Sequence, residues 1–180
     1  MKLGFLYAGQ GSQHPGMGAD LYEAFPAFRA VLDSAEVDFD LKEVSFRDSQ
    51  GVLNQTRYTQ PCMVAFAAGL TAVLKEQGVV PAAAAGLSLG EYSALHAAGV
   101  FDAATAVKLV AFRGKAMEEA AAGRPSAMMA VLGLDALVEI GPGKALSGFV
   151  KKTVPEMPVY AVETVADVEN LVQIVKENDR

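Results

Sequence analysis

Apolar positions along the chain recur in two rhythms. Short continuous runs alternate with longer stretches in which apolar residues return every third or fourth position. Runs of the first kind suit buried strands and the second kind amphipathic helices, so their alternation predicts an α/β fold with a mostly parallel sheet. The segment LGFLYAG (3–9) reads as the first strand and runs into the glycine-rich stretch GQGSQHPGMG. A helix is expected over about Asp20–Ser34, followed by a polar connection through NQTRYTQ. Pro61 suits the first turn of a second helix, whose face is Met63, Phe66, Ala67, Leu70, Val73 and Leu74 and which Gly78 closes.

The run VVPAAAAG is poor in β-formers and is read as a strand from its place before a glycine turn. A helix after Gly90, a break at Gly99 and a helix over about 102–122 come next. The segments SAMMAVLGL (126–134) and ALVEIG (136–141) then read as two strands separated by Asp135 alone. Neither a crossover helix nor a hairpin turn fits between them. The remainder predicts a turn and helix in GPGKALSGFVKK and a strand in VYAV. A final helix opens on a capping box, Thr164-x-x-Asp167, with Val168, Leu171, Val172 and Val175 on one face.

Composition narrows the partners. The 180 residues are 52% hydrophobic and carry a net charge of −6, which argues against nucleic acid or an anionic membrane. No stretch approaches the roughly 18 apolar residues of a membrane span. The N-terminus lacks the h-region of a signal peptide, and one cysteine, Cys62, suits a reducing compartment, so a cytoplasmic location is expected. The spacing of His and Cys offers no metal site, and GQGSQHPGMG lacks the G-K-[ST] of a phosphate loop.

The chemistry centres on Gly86-Leu87-Ser88-Leu89-Gly90, which fits the G-x-S-x-G nucleophile elbow between a strand and a helix. Such a turn exposes the serine hydroxyl at a helix N-terminus, where free N–H groups stabilise an anion. The backbone N–H of Leu89 is one candidate oxyanion donor. That of Gln10, directly after the first strand, is either the second donor or part of a tied-down loop. Arg113 shares a helix face with Leu109, Val110, Gly114 and Met117. A guanidinium there either grips a substrate carboxylate, snorkels, or pairs with an acid such as Glu91 or Glu118. Neither histidine suits the role of base: His96 lies about 12 Å along the helix from Ser88, and His14 belongs to the first glycine-rich loop. Lys144, Lys151 and Lys152 form a small basic cluster that is either a solvated face or a contact for an acidic partner.

The segments FLYAGQGSQHPGMG, LNQTRYTQPCMVAF, GLSLGEYSAL, FRGKAM, AMMAVLGLD and VEIGPGKALSGFVKK, in this order, resemble the malonyl-CoA:acyl carrier protein transacylases of bacterial fatty-acid synthesis. The resemblance implies one acyltransferase core over 1–180, with a hydrolase-like short sheet flanked by helices. It implies that Ser88 takes malonyl from malonyl-CoA as an ester and passes it to the phosphopantetheine thiol of acyl carrier protein. Arg113 would hold the malonyl carboxylate, the Gln10 and Leu89 amides would form the oxyanion hole, and no cofactor would be bound permanently. Two departures stand out. Leu87 replaces the histidine that usually precedes the serine, and the small ferredoxin-like subdomain with the catalytic histidine is missing at the 135–136 junction. The resemblance therefore leaves three readings: an acyltransferase, a vestigial acyl-CoA or carrier-protein binding module, or an incomplete record of a longer protein. Without partner strands, 126–134 is expected to cause self-association or poor solubility.

Overall fold

The computed structural model describes residues 1–120 and 135–178. Four parallel strands, β1 (Leu3–Tyr7), β2 (Ala83–Gly86), β3 (Ala136–Ile140) and β4 (Val159–Val162), form one sheet in the order β2-β1-β3-β4. The registers align Tyr7 with Gly86 on one side and with Ile140 on the other. The carboxyl ends of β1, β2 and β3 therefore lie level, and their loops share one edge of the sheet, the place where open α/β sheets bind ligands. The expected fold class and all four strands are present. The expected strand 126–134, and the self-association expected through it, lie outside the described residues.

The strands are packed by helices α1 (Ala19–Ala24), α2 (Pro26–Asp33), α3 (Leu41–Phe46), α4 (Thr56–Glu76), α5 (Gly90–Ala97), α6 (Ala103–Ala120), α7 (Ala145–Thr153) and α8 (Val165–Asn178). The single helix expected over Asp20–Ser34 is two, because Phe25 adopts an extended backbone at φ −120° and ψ 113°. The residue before a proline avoids the helical region, and Pro26 then starts α2 at its first position. The polar connection also holds α3, which Asp40 caps by accepting the Glu43 N–H. Pro61 is not in the first turn of its helix. Helix α4 begins at Thr56, so Pro61 lies inside it and withholds one hydrogen bond from the Arg57 carbonyl. At the far end of α4, Gly78 stands at φ 79°, as a closing glycine requires.

Helix α4 is the central support. From Thr59 to Thr71 every residue is buried, as befits a helix enclosed by α2, α3, α5 and α6. Two devices tie it to the sheet and to the first loop. The Thr71 hydroxyl donates to the Ala67 carbonyl, so the buried Tyr7 hydroxyl donates to Thr71 Oγ1, at 2.8 Å. The Phe28 ring fills the space left by two glycines: a Cβ on Gly18 would lie 2.8 Å from it, and one on Gly69 2.7 Å. In the C-terminal part, Thr164 and Asp167 form the expected reciprocal cap, at 2.9 and 3.3 Å, and Val168, Leu171, Val172 and Val175 are buried.

Removing the Phe28 ring leaves two glycines and an edge-on Phe66 facing a void. Phe28→Ala is expected to lower the free energy of unfolding by about 3–5 kcal/mol, read as a reduced urea midpoint with unchanged slope.

Candidate functional site

The turn after β2 is built by contact with β1. The Leu87 N–H donates to the Tyr7 carbonyl at 3.1 Å, extending the parallel ladder one residue past the strand. The chain then reverses sharply at Ser88, a non-glycine residue with φ of 53°. That left-handed conformation is costly for serine and persists only where the surroundings enforce it. Here they do. A Cβ on Gly86 would lie 2.0 Å from the Gly90 carbonyl carbon, and one on Gly90 would lie 2.1 Å from the Tyr7 carbonyl oxygen. A Cβ on Gly9 would lie 2.6 Å from the Leu87 oxygen, so the turns after β1 and β2 touch. The glycines of G-x-S-x-G are thus required by backbone packing, and Ser88 is left exposed at the start of α5.

Among the described residues, neither the Gln10 N–H nor the Leu89 N–H has an acceptor within the protein. Both sit on the touching turns, and they are the two N–H groups that the resemblance assigns to the oxyanion hole. The Leu89 side chain is buried, which fixes the peptide that carries its N–H. Leu87, which stands where the resemblance expects histidine, is half-buried and leans over Gly9.

Arg113 reaches this turn from α6. Its Nη2 donates to Ser88 Oγ at 3.2 Å, and its Nη1 donates to Gln60 Oε1 at 2.9 Å. The Tyr92 ring lies beneath the guanidinium, 5.4 Å from centroid to Cζ, a cation–π contact. No carboxylate pairs with Arg113 among the described residues, so neither Glu91 nor Glu118 fills that part. The helix face around it needs correction. Val110 and Gly114 are buried, but Leu109 is 41% exposed and Met117 39%, so Arg113 lies at a rim and not on a fully buried stripe.

Gln60 was missed by sequence reading. It is fully buried on α4, beside Pro61, in a helix whose apolar neighbours hide it. Its Nε2 donates to Gln10 Oε1 at 3.4 Å and to Met117 Sδ at 3.3 Å. The sequence signal that could have flagged it is an uncharged amide at the head of an otherwise unbroken apolar run.

Both histidines are committed elsewhere. His96 Nδ1 lies 3.1 Å from the Phe101 carbonyl and holds the loop between α5 and α6. His14 Nδ1 faces the Pro15 carbonyl, and its Nε2 is hydrogen-bonded to Glu163, whose other oxygen accepts the Gly143 N–H. Both ring nitrogens of His14 meet acceptors, so only the imidazolium satisfies both. Partial burial pulls its pKa down, but the Glu163 hydrogen bond, the Pro15 carbonyl and the Glu163 charge together raise it above 6.5. Among the described residues the only hydrogen-bond partner of Ser88 Oγ is Arg113, and no imidazole or carboxylate is placed to take its proton. Glu91 is exposed and its carboxylate makes no hydrogen bond to the turn. Cys62 is buried in the core, and loss of solvation pushes its thiol up to about 12, which keeps it protonated.

The basic cluster behaves as a solvated face in part. All three lysines are exposed, and Lys144 and Lys151 also line a cleft of about 250 Å³ with Tyr160 and Asp167, between α7, β4 and α8. Among the described residues no group of three or more His, Cys, Asp or Glu could hold a metal ion. No helix among them is long and apolar enough to cross a membrane.

Gly90→Ala is expected to abolish the folded turn, because its Cβ would overlap the Tyr7 carbonyl. Circular dichroism should show no cooperative thermal transition matching the parent. The His14–Glu163 pair predicts a pH effect of definite sign. Because the folded pKa is raised, its stabilisation is complete below about 6.5 and is lost as pH rises through the folded value. His14 is 48% exposed, so water screens the pair to below about 1 kcal/mol. The stability gap between parent and His14→Gln in urea unfolding should therefore close between acidic and alkaline buffer.

The geometry has counterparts in known proteins. Residues 4–153 match the acyl transferase domain family. The malonyl CoA-acyl carrier protein transacylase of Bacillus subtilis (strain 168) is 41% identical over 137 residues, which are 75% of this chain and 43% of that one. A malonyl CoA-acyl carrier protein transacylase from Clostridium perfringens superposes with a TM-score of 0.88 at 23% identity, covering 99% of this chain and 98% of that one. A malonyl-transacylase in complex with a type II polyketide-synthase acyl-carrier protein superposes with a TM-score of 0.84 at 22% identity, covering 97% and 100%. The chain spans about two-fifths of the length of the curated malonyl CoA-acyl carrier protein transacylases it matches, 43% in the Bacillus case. The family match, the shared fold and the glycine-enforced serine turn lead to one conclusion: the chain belongs to the acyl transferase domain family.

Proposed function

We propose that the chain is the core of a malonyl-CoA:acyl carrier protein transacylase, working through a malonyl-Ser88 ester. The observation that carries this reading is a guanidinium 3.2 Å from a serine held in a strained, exposed turn. A serine esterase for neutral acyl groups has no use for a cation at that place. A malonyl thioester carries a carboxylate two carbons from the reacting carbonyl, and Arg113 would receive it in a bidentate fork. The malonyl-specific names of the Bacillus and Clostridium proteins support the same substrate.

In the first half-reaction Ser88 Oγ bonds to the thioester carbonyl carbon and the carbon–sulfur bond breaks. The hydroxyl proton passes to the departing coenzyme A sulfur. The N–H groups of Gln10 and Leu89 would hold the oxyanion formed between these events. In the second half-reaction the phosphopantetheine thiol of acyl carrier protein attacks the ester and restores the Ser88 hydroxyl. No cofactor enters either step. A positioned base is worth about 10²–10⁴-fold in such transfers, and no imidazole serves Ser88, so acylation is expected to be slow and dominated by the oxyanion hole and binding.

The same reading treats 1–180 as one acyltransferase core that lacks a segment between Asp135 and Ala136, and it places the protein in the cytoplasm. The 43% span of the Bacillus relative supports a missing portion. Sequencing the encoding gene across codons 135 and 136 tests that point.

Incubation with malonyl-CoA followed by intact-mass measurement should show a slow malonyl adduct that Ser88→Ala does not form. An adduct that persists in Ser88→Ala would overturn the role of Ser88, and no adduct in the parent would leave a binding module without chemistry. Arg113→Ala should weaken malonyl-CoA binding by about 10–100-fold, the worth of a charge-assisted hydrogen-bonded pair, and leave acetyl-CoA binding nearly unchanged in calorimetry.

A further inference from the structure

The polar groups around Ser88 form a chain whose direction is set at one end. Arginine has donors only, so the Gln60 oxygen must face Arg113 Nη1, at 2.9 Å. That choice turns the Gln60 NH₂ toward Gln10 Oε1 at 3.4 Å and Met117 Sδ at 3.3 Å. With its oxygen accepting, Gln10 must present Nε2 to Thr56 Oγ1, which it does at 3.0 Å. The run Arg113→Gln60→Gln10→Thr56 therefore has one permitted polarity. It spans α6, α4 and the loop after β1.

Gln60 is the only member of this run with no exposure, and each of its polar atoms is spent on the site. A buried amide in an apolar helix needs partners, and a helix that merely packed here would carry an apolar residue instead. An amide is suited to this place because it accepts from the guanidinium and donates to Gln10 while remaining neutral. A carboxylate would accept from Arg113 but neutralise it, and could donate nothing to Gln10.

We propose that Gln60 is a positioning residue that holds Arg113 in register for a substrate carboxylate and ties it to the loop bearing the Gln10 N–H. Carboxylate recognition and oxyanion stabilisation then share one buried joint. Gln60 touches neither the acyl group nor Ser88 and acts through Arg113 and Gln10. The inference rests on the reading of Arg113 as the malonyl anchor.

The test is equilibrium binding of malonyl-CoA and acetyl-CoA to the whole chain, which does not depend on turnover. The parent is compared with Gln60→Met, Gln60→Glu, Arg113→Ala and Gln60→Met/Arg113→Ala, with thermal unfolding alongside. Methionine keeps the volume in a buried site, so Gln60→Met is expected to fold. Its preference for malonyl-CoA over acetyl-CoA should fall about tenfold, the loss of one hydrogen bond to a charged group. In the Arg113→Ala background the same change should have no further effect on that preference. Gln60→Glu places an internal carboxylate on the guanidinium, so malonyl-CoA should weaken while acetyl-CoA holds. This second variant decides the matter if Gln60→Met fails to fold. An unchanged malonyl preference in the folded Gln60 variants, or an equal loss with and without Arg113, would overturn the inference while leaving the malonyl reading intact. A parent that binds both thioesters alike, or neither, would overturn the malonyl reading and this inference with it.

Discussion

The site depends on how closely the turn after β2 can approach the end of β1. The Tyr7 carbonyl accepts the Leu87 N–H at 3.1 Å, and no side chain fits between it and Gly90. Everything else at the site follows from that contact. It forces the left-handed backbone at Ser88, starts α5 directly afterwards and presses the Gly9 turn against Leu87. A larger residue at Gly86, Gly90 or Gly9 would separate two backbones, and the serine would lose both its exposure and its neighbours. The strain at Ser88 is therefore sustained by a parallel ladder carried one residue beyond its strand.

A second level of order is electrostatic. Arg113 lies over Tyr92, donates to Ser88 and to Gln60, and meets no acid among the described residues. A cation held by neutral partners keeps its charge available to a ligand, whereas an internal salt bridge would already have consumed it. His14 shows the opposite arrangement, with both ring nitrogens engaged and Glu163 at its side. One charged group is kept open at the serine, and the other is closed into a structural link between the first loop and the end of β4.

Much of this was legible in the sequence, and the exceptions have physical causes. The four strands, the serine turn and the cap at Thr164 and Asp167 follow from local pattern: apolar runs, glycine spacing and a capping box. Helix boundaries were less legible where two local rules compete. Phe25 carries the helical rhythm, but Pro26 excludes helix at the residue before it. Pro61 looks like a helix start, yet α4 begins at Thr56 because burial against its neighbouring helices outweighs one lost hydrogen bond. The amide at Gln60 stands out at the head of an apolar run, but its role was illegible because that depends on residues 50 and more positions away, at Gln10, Arg113 and Met117. The rim position of Arg113 was hidden for the same reason, since periodicity gives a helix face but not what covers it.

Cys62 has a consequence for any thioester chemistry of this chain. It is the sole cysteine, enclosed by the core and held protonated. Acyl thioesters exchange spontaneously with accessible thiolates, and such exchange would deposit acyl groups without enzymatic help. With its only thiol sealed away, the chain has no sulfur that can scavenge an acyl group from solution. The same seclusion leaves the surface blank to maleimide and haloacetamide reagents. A cysteine introduced at the rim, in place of the 41% exposed Leu109 for example, would then be the single attachment point for a fluorophore reporting on that face.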